Sequence, residues 1–273
     1  MNVVTKTTQF KGKEFKFCCY DGPTSDFHPS WWSHVDEAEV RERDWDIQKG
    51  DLVLDIGAAY GSYTLTALAL GASHVWAWSP QGGPGELSER EFLKLSLEAN
   101  GPDWVNRVTF MDGGLYDRSG VLHADTQEFL THKQACDRRI DFSDNAWLSV
   151  CSLDSYITKT GPGELIGGQF AHLDYCDYTG NSNSKVWFKL DVEGAEAAVL
   201  EGSAEFMKRL ASRNKEMLLQ IENHNFKNKH IEVDVAKTLG RIEGYINSYT
   251  KFELQHSVPH HSVSHSLWRA KRR

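Results

Sequence analysis

Short apolar runs alternate with helical segments along most of the chain from residue 51 onward. A run of about four to eight apolar residues bounded by turn residues is typical of a strand that is covered on both faces. Candidate strands lie at 52–54, 74–78, 107–111, 186–192 and 217–221. Strands that alternate with helices predict a mostly parallel sheet with helices on both faces, which is the doubly wound α/β fold.

Helices are expected between and after these strands. One covers about 62–70, and another begins at Ser88, whose S-x-x-E spacing to Glu91 is that of a capping box. A third begins near Ala195. The last helix presents on one face the apolar residues Ile231, Val235, Leu239 and Ile242.

The end of the chain predicts an antiparallel hairpin, with strands near 245–255 and 263–270. This hairpin would lie at one edge and complete a sheet of seven strands. Alternation alone predicts the fold class, and the terminal hairpin selects the variant of it that has an antiparallel edge.

Two regions do not follow the alternation, namely residues 1–45 and 116–185. We therefore predict an N-terminal extension, 1–45, ahead of a main domain, 46–273, which carries the irregular insertion. Long irregular segments in a compact domain are usually functional or disordered, and ligands of open α/β sheets bind outside the carboxyl ends of the strands. Segments 1–45 and 160–184 are thus candidate substrate caps, with surface decoration as the alternative. The extension carries an aromatic cluster, Phe27, Trp31, Trp32 and Trp45.

The composition is that of a globular protein with an acidic surface. The chain has 273 residues, 40% of them hydrophobic, and a formal net charge of −8 at pH 7. Proteins whose main partner is polyanionic usually carry a basic surface, so this charge disfavours a long nucleic acid. The dense basic run at 269–273 keeps nucleic acid open as an alternative, although a solvated tail is the simpler interpretation.

Features that would direct the chain away from the cytoplasm are missing from the sequence. No window holds the roughly 18 apolar residues that span a bilayer, and the first residues lack the basic start and apolar run of a secretory signal. The five cysteines include no C-x-x-C pair, which predicts free thiols in a reducing compartment. We expect a cytoplasmic protein with no membrane partner.

The first strand leads into a glycine-containing turn, VLDIGAAYG at 53–61. Glycines let the backbone turn sharply and approach a ligand before a helix begins. The D-x-G-x-x-x-G spacing differs from the G-x-G-x-x-G of dinucleotide enzymes, so a dehydrogenase is the weaker interpretation. An acid at the strand end suits the cationic sulfonium and amino group of S-adenosylmethionine (SAM). The predicted SAM-binding residues are Asp55, Gly57, Ala58, Tyr60, Gly61, Asp112 and Asp191.

Two longer blocks resemble a known family. The turn VLDIGAAYGSYTL is similar to the pattern V-D-x-G-A-N-x-G-x-x-T, and residues 189–200, KLDVEGAEAAVL, are similar to the K-I-D-V-E-G-A-E-x-x-V-L block of the FkbM family methyltransferases. Residues 153–155 match an L-D-x position, and Glu222 with His224 matches E-x-H. The resemblance spans about 50–225 and implies a class I, Rossmann-like SAM-dependent fold. It also implies O-methylation of a hydroxyl on a sugar or small natural product.

The chain departs from this family pattern at two positions of the cofactor site. Ala59 stands where the family usually has Asn, and Ser79 stands where it has an acid at the end of the second strand. The resemblance implies that this acid holds both ribose hydroxyls of the cofactor, which a serine cannot reproduce. We expect Ser79 to make one hydrogen bond and Gln81 or Glu86 to supply another.

Charged residues and a histidine stand at the ends of the fourth and fifth strands. Alternation places Lys189, Asp191 and Glu193 on one face of the fourth strand, and it likewise places Glu222 and His224 on the fifth. In the expected sheet order these strand ends are adjacent and lie beside the cofactor turn. An acidic and imidazole cluster would therefore lie where the methyl group of SAM points.

Methyl transfer to oxygen requires help, because a neutral alcohol is a poor nucleophile. His224 is the predicted base, since its pKa lies nearest neutrality, and Asp191 would bind the acceptor hydroxyl or position His224. Lys189 and Glu222 complete the predicted catalytic set, with a buried ion pair as the alternative role of Lys189. Asp191, Glu222 and His224 could instead bind Mg²⁺ or Ca²⁺. We favour the metal-free route, because nothing else in the sequence demands an ion.

The leading hypothesis is a SAM-dependent O-methyltransferase that acts on a sugar or another small hydroxylated molecule. One alternative is methylation of a nucleotide or RNA 2′-hydroxyl, which the basic tail favours and the acidic net charge opposes. Another alternative is a non-catalytic scaffold of the same fold that has lost SAM affinity. Ala59 and Ser79 suggest the scaffold, whereas the intact block at 189–200 opposes it.

Overall fold

The computed structural model describes residues 2–21, 44–79, 87–123, 128–131, 133–134, 138, 147–158, 184–213, 215–224, 230–246, 250–260 and 263–272. Several sequence predictions fall outside these residues: those on Phe27, Trp31, Trp32, Gln81, Glu86 and most of 160–184.

The secondary structure follows the predicted alternation through the central part of the chain. The strands are β1 (Val3–Phe10), β2 (Lys13–Tyr20), β3 (Leu52–Ile56), β4 (His74–Trp78), β5 (Val108–Met111), β6 (Gly114–Leu115), β7 (Gly120–His123), β8 (Phe129–Leu130), β9 (Trp147–Cys151), β10 (Val186–Leu190), β11 (Met217–His224), β12 (Thr250–His260) and β13 (Val263–Arg272). The helices are α1 (Ser62–Leu70), α2 (Glu89–Asn100), α3 (Pro102–Asn106), α4 (Leu153–Thr158), α5 (Glu196–Glu201), α6 (Ala204–Ser212) and α7 (Ile231–Ile246).

The central sheet has seven strands in the order β12-β13-β11-β10-β3-β4-β5. Strand β13 is antiparallel to both of its neighbours, and the other pairings are parallel. The predicted seven-stranded, mostly parallel sheet with a C-terminal antiparallel hairpin at one edge is thereby confirmed. The order of strands reverses between β3 and β10, and ligands of open α/β sheets bind at such a reversal, outside the carboxyl ends of the strands.

Helices cover both faces of this sheet. Side chains such as Leu54 and Phe188 belong to one core cluster with α5, α6 and α7, whereas Val53 and Val75 belong to another with α1 and α2. The strands are buried on both faces, which explains their continuous apolar runs. The capping box at the start of α2 is present as predicted, because the backbone amide of Ser88 donates to the Glu91 carboxylate and the Ser88 side chain accepts from the Glu91 amide.

The N-terminal extension contains an antiparallel hairpin, β1–β2, for which the sequence analysis predicted no strands. Phe15, Phe17 and Cys19 point from β2 into the core cluster that contains α1 and α2. A hydrogen bond to a side chain of α2 adds to this packing, since the Cys18 amide donates to Ser96 Oγ at 2.8 Å. The hairpin therefore shares a core with the central sheet, and the cap predicted for the rest of 1–45 stays a prediction.

The insertion between β5 and β10 contains a small second sheet rather than only irregular chain. Its four strands are ordered β6-β9-β7-β8. Its buried residues Val121 and Leu130 form a cluster of their own, with Trp147 packed against them. The described cysteines, Cys18, Cys19 and Cys151, are free thiols. Within the described part of the chain, no helix is long and apolar enough to cross a membrane.

Candidate active site

The turn after β3 lies tightly against the end of β10. Gly57 has a φ of 86°, and a Cβ added to it would lie 1.8 Å from the backbone oxygen of Asp191. The amides of Gly57 and Ala58 donate to the carbonyl of Trp78, at 3.0 and 2.7 Å. No side chain fits at residue 57 without moving the backbone of one of these strands, so the glycine is required by the close approach of two strand ends.

Ala59 adopts a left-handed backbone conformation, with a φ of 46°. Alanine visits this region at a cost, whereas asparagine tolerates it. The Asn of the FkbM pattern at this position is thus explained by the backbone. Ala59 keeps the conformation of the turn without the side chain that suits it best.

Lys189 connects the turn to the carboxylates around it. Its Nζ donates to the carbonyl of Gly57 at 2.6 Å, and it lies 3.1 Å from Asp191 Oδ2 and 3.6 Å from Asp55 Oδ1. Burial lowers the pKa of Lys189, but the negative charges of Asp191, Asp55 and Glu222 outweigh that effect and raise its pKa above the ordinary value. The lysine is therefore a partly buried cation that holds the turn in place.

Asp55 has its partners within the protein, and its predicted contact with the cofactor stays a prediction. Its side chain is fully buried, and its Oδ2 accepts a hydrogen bond from Thr64 Oγ1 at 2.6 Å. Burial raises the pKa of Asp55, while Lys189 and Thr64 act in the opposite direction. The acid at the strand end is therefore enclosed by the protein, does not line the cavity described below, and lies 3.6 Å from the ammonium group of Lys189.

A cavity of about 300 Å³ opens at the carboxyl ends of β3, β4 and β10. Gly57 and Ala59 lie on one side, and its acidic residues are Glu89, Asp191 and Glu193. The small sheet supplies an apolar wall through Leu115, Leu122, Leu148 and Val150. The described part of the insertion thus covers the reversal of strand order, which is where a ligand of this fold is expected.

Three further residues predicted to bind the cofactor, Ala58, Tyr60 and Gly61, belong to the turn and do not line this cavity. Ala58 is buried, and the Tyr60 ring packs 5.7 Å from the ring of Phe92. A Cβ on Gly61 would lie 2.2 Å from the side chain of Leu93. These three residues therefore shape the turn and its junction with α1, and a direct contact of any of them with the cofactor stays a prediction.

Asp112 follows β5 and lies on the surface beside the cavity. Its carboxylate pairs with Arg90 at 2.6 Å, and its side chain is 80% exposed. The next residue, Gly113, lines the cavity. The chain after β5 is therefore placed as expected, although the Asp112 carboxylate itself faces Arg90.

His224 is surrounded by carboxylates at the end of β11. Its Nδ1 lies 2.7 Å from Glu196 Oε1, and its Nε2 lies 3.5 Å from Asp191 Oδ1 and 3.7 Å from carboxylate oxygens of Glu193 and Glu222. Burial lowers the pKa of His224, but the bond to Glu196 and the charges of Asp191, Glu196 and Glu193 raise it to about 9. The predicted neighbours Asp191, Glu222 and His224 are thus brought together, with the imidazole protonated at neutral pH.

The same cluster satisfies the simplest geometric requirement of a metal site. One ligand atom from each of Asp191, Glu222 and His224 lies within 4.8 Å of the others. Glu196 holds Nδ1 of the imidazole, which leaves Nε2 directed at the two carboxylates, an arrangement found both in metal sites and in general bases. The geometry is compatible with either route of hydroxyl activation.

The sequence analysis missed two carboxylates of this site. Glu89 lines the cavity from the first residue of α2, and Glu196 is fully buried against His224. Acids at helix starts are ordinarily explained by the helix dipole, and both residues occupy such positions. The mismatch at Ser79 was the available signal for Glu89, because it indicated that another group near the end of β4 must supply the missing charge.

Comparisons with known proteins add a fold-level likeness. No protein-family model matches the chain, and no curated protein matches it. Among solved structures, M. jannaschii TYW2 in complex with AdoMet is similar at 11% identity with a TM-score of 0.43, covering 98% of this chain and 85% of that one. Precorrin-6y C5,15-methyltransferase from Geobacter metallireducens is similar at 11% identity with a TM-score of 0.39, covering 83% and 82%.

A third similar structure is a putative tRNA (m1A22) methyltransferase of Streptococcus pneumoniae in complex with SAM, at 12% identity and a TM-score of 0.39, covering 84% of this chain and 69% of that one. These likenesses concern the general arrangement of helices and strands. The residues of the cavity and of the cluster around His224 are therefore the basis for assigning a function.

Proposed function

We propose that the chain is a SAM-dependent methyltransferase that methylates a hydroxyl group. The observation that carries this proposal is the position of Asp191, which lines the cavity beside Gly57 and also lies 3.5 Å from His224. A cofactor bound at the turn would thus present its methyl group next to a carboxylate and an imidazole. The resemblance to the FkbM blocks agrees with this assignment.

The acceptor that we propose is a sugar or another small hydroxylated molecule. Three carboxylates and several apolar side chains line the cavity, and the net charge of the chain is −8 at pH 7. Such a site favours a neutral polyol over a phosphate-rich chain, because phosphates would face the carboxylates of a cavity whose described lining includes no lysine or arginine. The free thiols of the described cysteines support our proposal that the protein is cytoplasmic.

Calorimetric titration tests whether SAM is the cofactor. We expect SAM and S-adenosylhomocysteine (SAH) to bind with one site per chain and dissociation constants well below 1 mM, roughly the range of SAM-like cofactors in a preformed cavity. The physical reason is the rigid turn, which Lys189 fixes before any ligand arrives. An absence of detectable heat at about 1 mM ligand would contradict the proposal and favour the non-catalytic scaffold.

Removal of divalent ions separates the two routes of hydroxyl activation. In the metal-free route His224 takes the proton of the acceptor, so we expect activity in EDTA to equal that in Mg²⁺. Because the pKa of His224 is raised to about 9, the base is mostly protonated at neutral pH. The rate in EDTA should therefore rise about tenfold per pH unit until the pH approaches that pKa.

The measurement is the initial rate of SAH formation between pH 6 and pH 10, with and without EDTA. Loss of the rate in EDTA and its recovery on addition of Mg²⁺ would contradict the metal-free route. It would instead assign Asp191, Glu222 and His224 as ligands of an ion that lowers the pKa of the acceptor.

A further inference from the structure

A serine and a glutamate meet at the edge of the cavity, at the end of β4. Ser79 follows the last residue of β4, is 3% exposed, and its hydroxyl donates to Glu89 Oε2 at 3.2 Å. Glu89 is the first residue of α2, and it lines the cavity together with Gly57 and Trp78. Two elements that are separate in the sequence thus place one carboxylate beside the cofactor turn.

The capping of α2 does not account for the position of Glu89. The start of α2 already has a complete capping box, formed by Ser88 and the exposed side chain of Glu91. Among the described residues, Ser79 is the hydrogen-bond partner of the Glu89 carboxylate, and no described lysine or arginine forms an ion pair with it. Burial raises the pKa of Glu89. Burial of a carboxylate without a paired cation costs free energy, and hydrogen-bond donors of a bound ligand would reduce that cost.

We propose that the Glu89 carboxylate, oriented by Ser79, accepts hydrogen bonds from the ribose hydroxyls of the cofactor. This inference rests on the proposed function, since it takes SAM as the ligand. In doubly wound folds the acid that binds the ribose hydroxyl stands about 20 residues after the glycine turn, which is where this chain has Ser79. In this chain the carboxylate is that of Glu89 in α2, and Ser79 at the end of β4 orients it through a hydrogen bond.

The chemistry of the contact is that of a diol and a carboxylate. Adjacent hydroxyl donors can each bind one carboxylate oxygen, and hydrogen bonds to a charged acceptor are about twice as strong as neutral ones. The hydroxyl of Ser79 donates to one of these oxygens and so limits rotation of the carboxylate. Glu89 belongs to α2, whereas Asp191 follows β10 and His224 ends β11, so the ribose contact and the methyl-transfer chemistry use different groups.

The test combines a residue change with a ligand change. We expect Glu89→Gln to weaken SAH binding by about 10- to 100-fold in calorimetry, the loss typical of charge-assisted hydrogen bonds in a cavity. The 2′-deoxy analogue of SAH should bind the wild-type protein about tenfold more weakly than SAH does, and Glu89→Gln should bind the two ligands nearly equally. Glu91→Gln is the matched control, because it changes the same helical turn on the exposed side and should leave the affinity for SAH within about twofold.

A rescue variant distinguishes a ribose contact from a structural role. Ser79→Asp combined with Glu89→Ala moves the carboxylate to the strand end, and it should recover most of the affinity that Glu89→Ala loses. Ser79→Asp alone should weaken binding, because two carboxylates within hydrogen-bonding distance repel each other.

Two results would overturn the inference. One is equal affinity of the wild-type protein for SAH and its 2′-deoxy analogue. The other is that Glu89→Gln weakens the binding of SAH and of its 2′-deoxy analogue by the same factor, while the midpoint of thermal unfolding stays unchanged. Failure of the wild-type protein to bind SAH at all would instead overturn the proposed function, and this inference with it.

Discussion

Replacing Gly57 by alanine is expected to abolish SAH binding and to lower the free energy of unfolding by about 3 kcal/mol or more. The added Cβ would lie 1.8 Å from the backbone oxygen of Asp191, and the residue would also have to keep a φ of 86°. Backbone atoms of two central strands must then separate, which moves the turn, Lys189 and Asp191 together. Urea unfolding and SAH calorimetry on the same preparation measure both effects.

Two other glycines separate the components of this loss. Gly12 has a φ of +74° but nothing within 4 Å of an added Cβ, so Gly12→Ala isolates backbone strain, at about 1 kcal/mol. Gly240 lies inside α7 with open space around it, so Gly240→Ala should stabilise the protein by about 0.5–1 kcal/mol. A Gly57→Ala variant that behaves like Gly12→Ala would show that the approach of β3 to β10 is not required for cofactor binding.

Most of the central sheet could be predicted because its strands are buried on both faces. The runs at 52–54 and 74–78 correspond to β3 and β4, and the predicted helix at 62–70 has the bounds of α1. Capping residues fixed the start of α2, since a capping box is a local hydrogen-bond pattern that depends little on the rest of the fold.

The parts of the fold that escaped prediction have weak or short patterns. Strand β1 alternates between exposed and half-buried residues, so its sequence VVTKTTQF shows little contrast between apolar and polar positions. Strand β2 does alternate, through Phe15, Phe17 and Cys19, and the Lys11-Gly12 turn before it was a usable signal. Strands β6 and β8 have two residues each, and periodicity cannot be detected over such a length.

Contacts of the site could be predicted where they follow from the order of the strands. They could not be predicted where side-chain packing determines which way a residue points. Adjacent strand ends follow from the sheet order, so the meeting of Asp191 with His224 could be expected. Whether the acid at the end of β3 faces a ligand or the core depends on Thr64 and Lys189, and the pattern of polar residues does not contain that information. Glu89 and Glu91 likewise share one helical turn, and only the fold decides which of them faces the cavity.

Replacing His224 by glutamine is expected to lower kcat for methyl transfer by about 10²- to 10⁴-fold, which is the usual contribution of a general base. The affinity for SAH should stay within about twofold, because His224 lies at the end of β11 and outside the lining of the cofactor cavity. The expectation holds for both proposed routes of activation, in which His224 supplies either the base or a metal ligand. Single-turnover rates and SAH calorimetry separate the chemical step from cofactor binding.

The matched control is His74, which among the described residues is the other histidine buried in the parallel part of the sheet. His74 begins β4, at the opposite end of the strands from the cavity, and its Nε2 lies 2.8 Å from Thr109 Oγ1. His74→Gln removes the same kind of side chain and should reduce stability without changing kcat by more than about twofold. A His224→Gln variant with the rate of His74→Gln would mean that neither proton transfer nor metal binding at residue 224 takes part in catalysis. Because Glu196 holds the imidazole in place at 2.7 Å, such a result would leave the pair a structural role at the junction of β11 with α5.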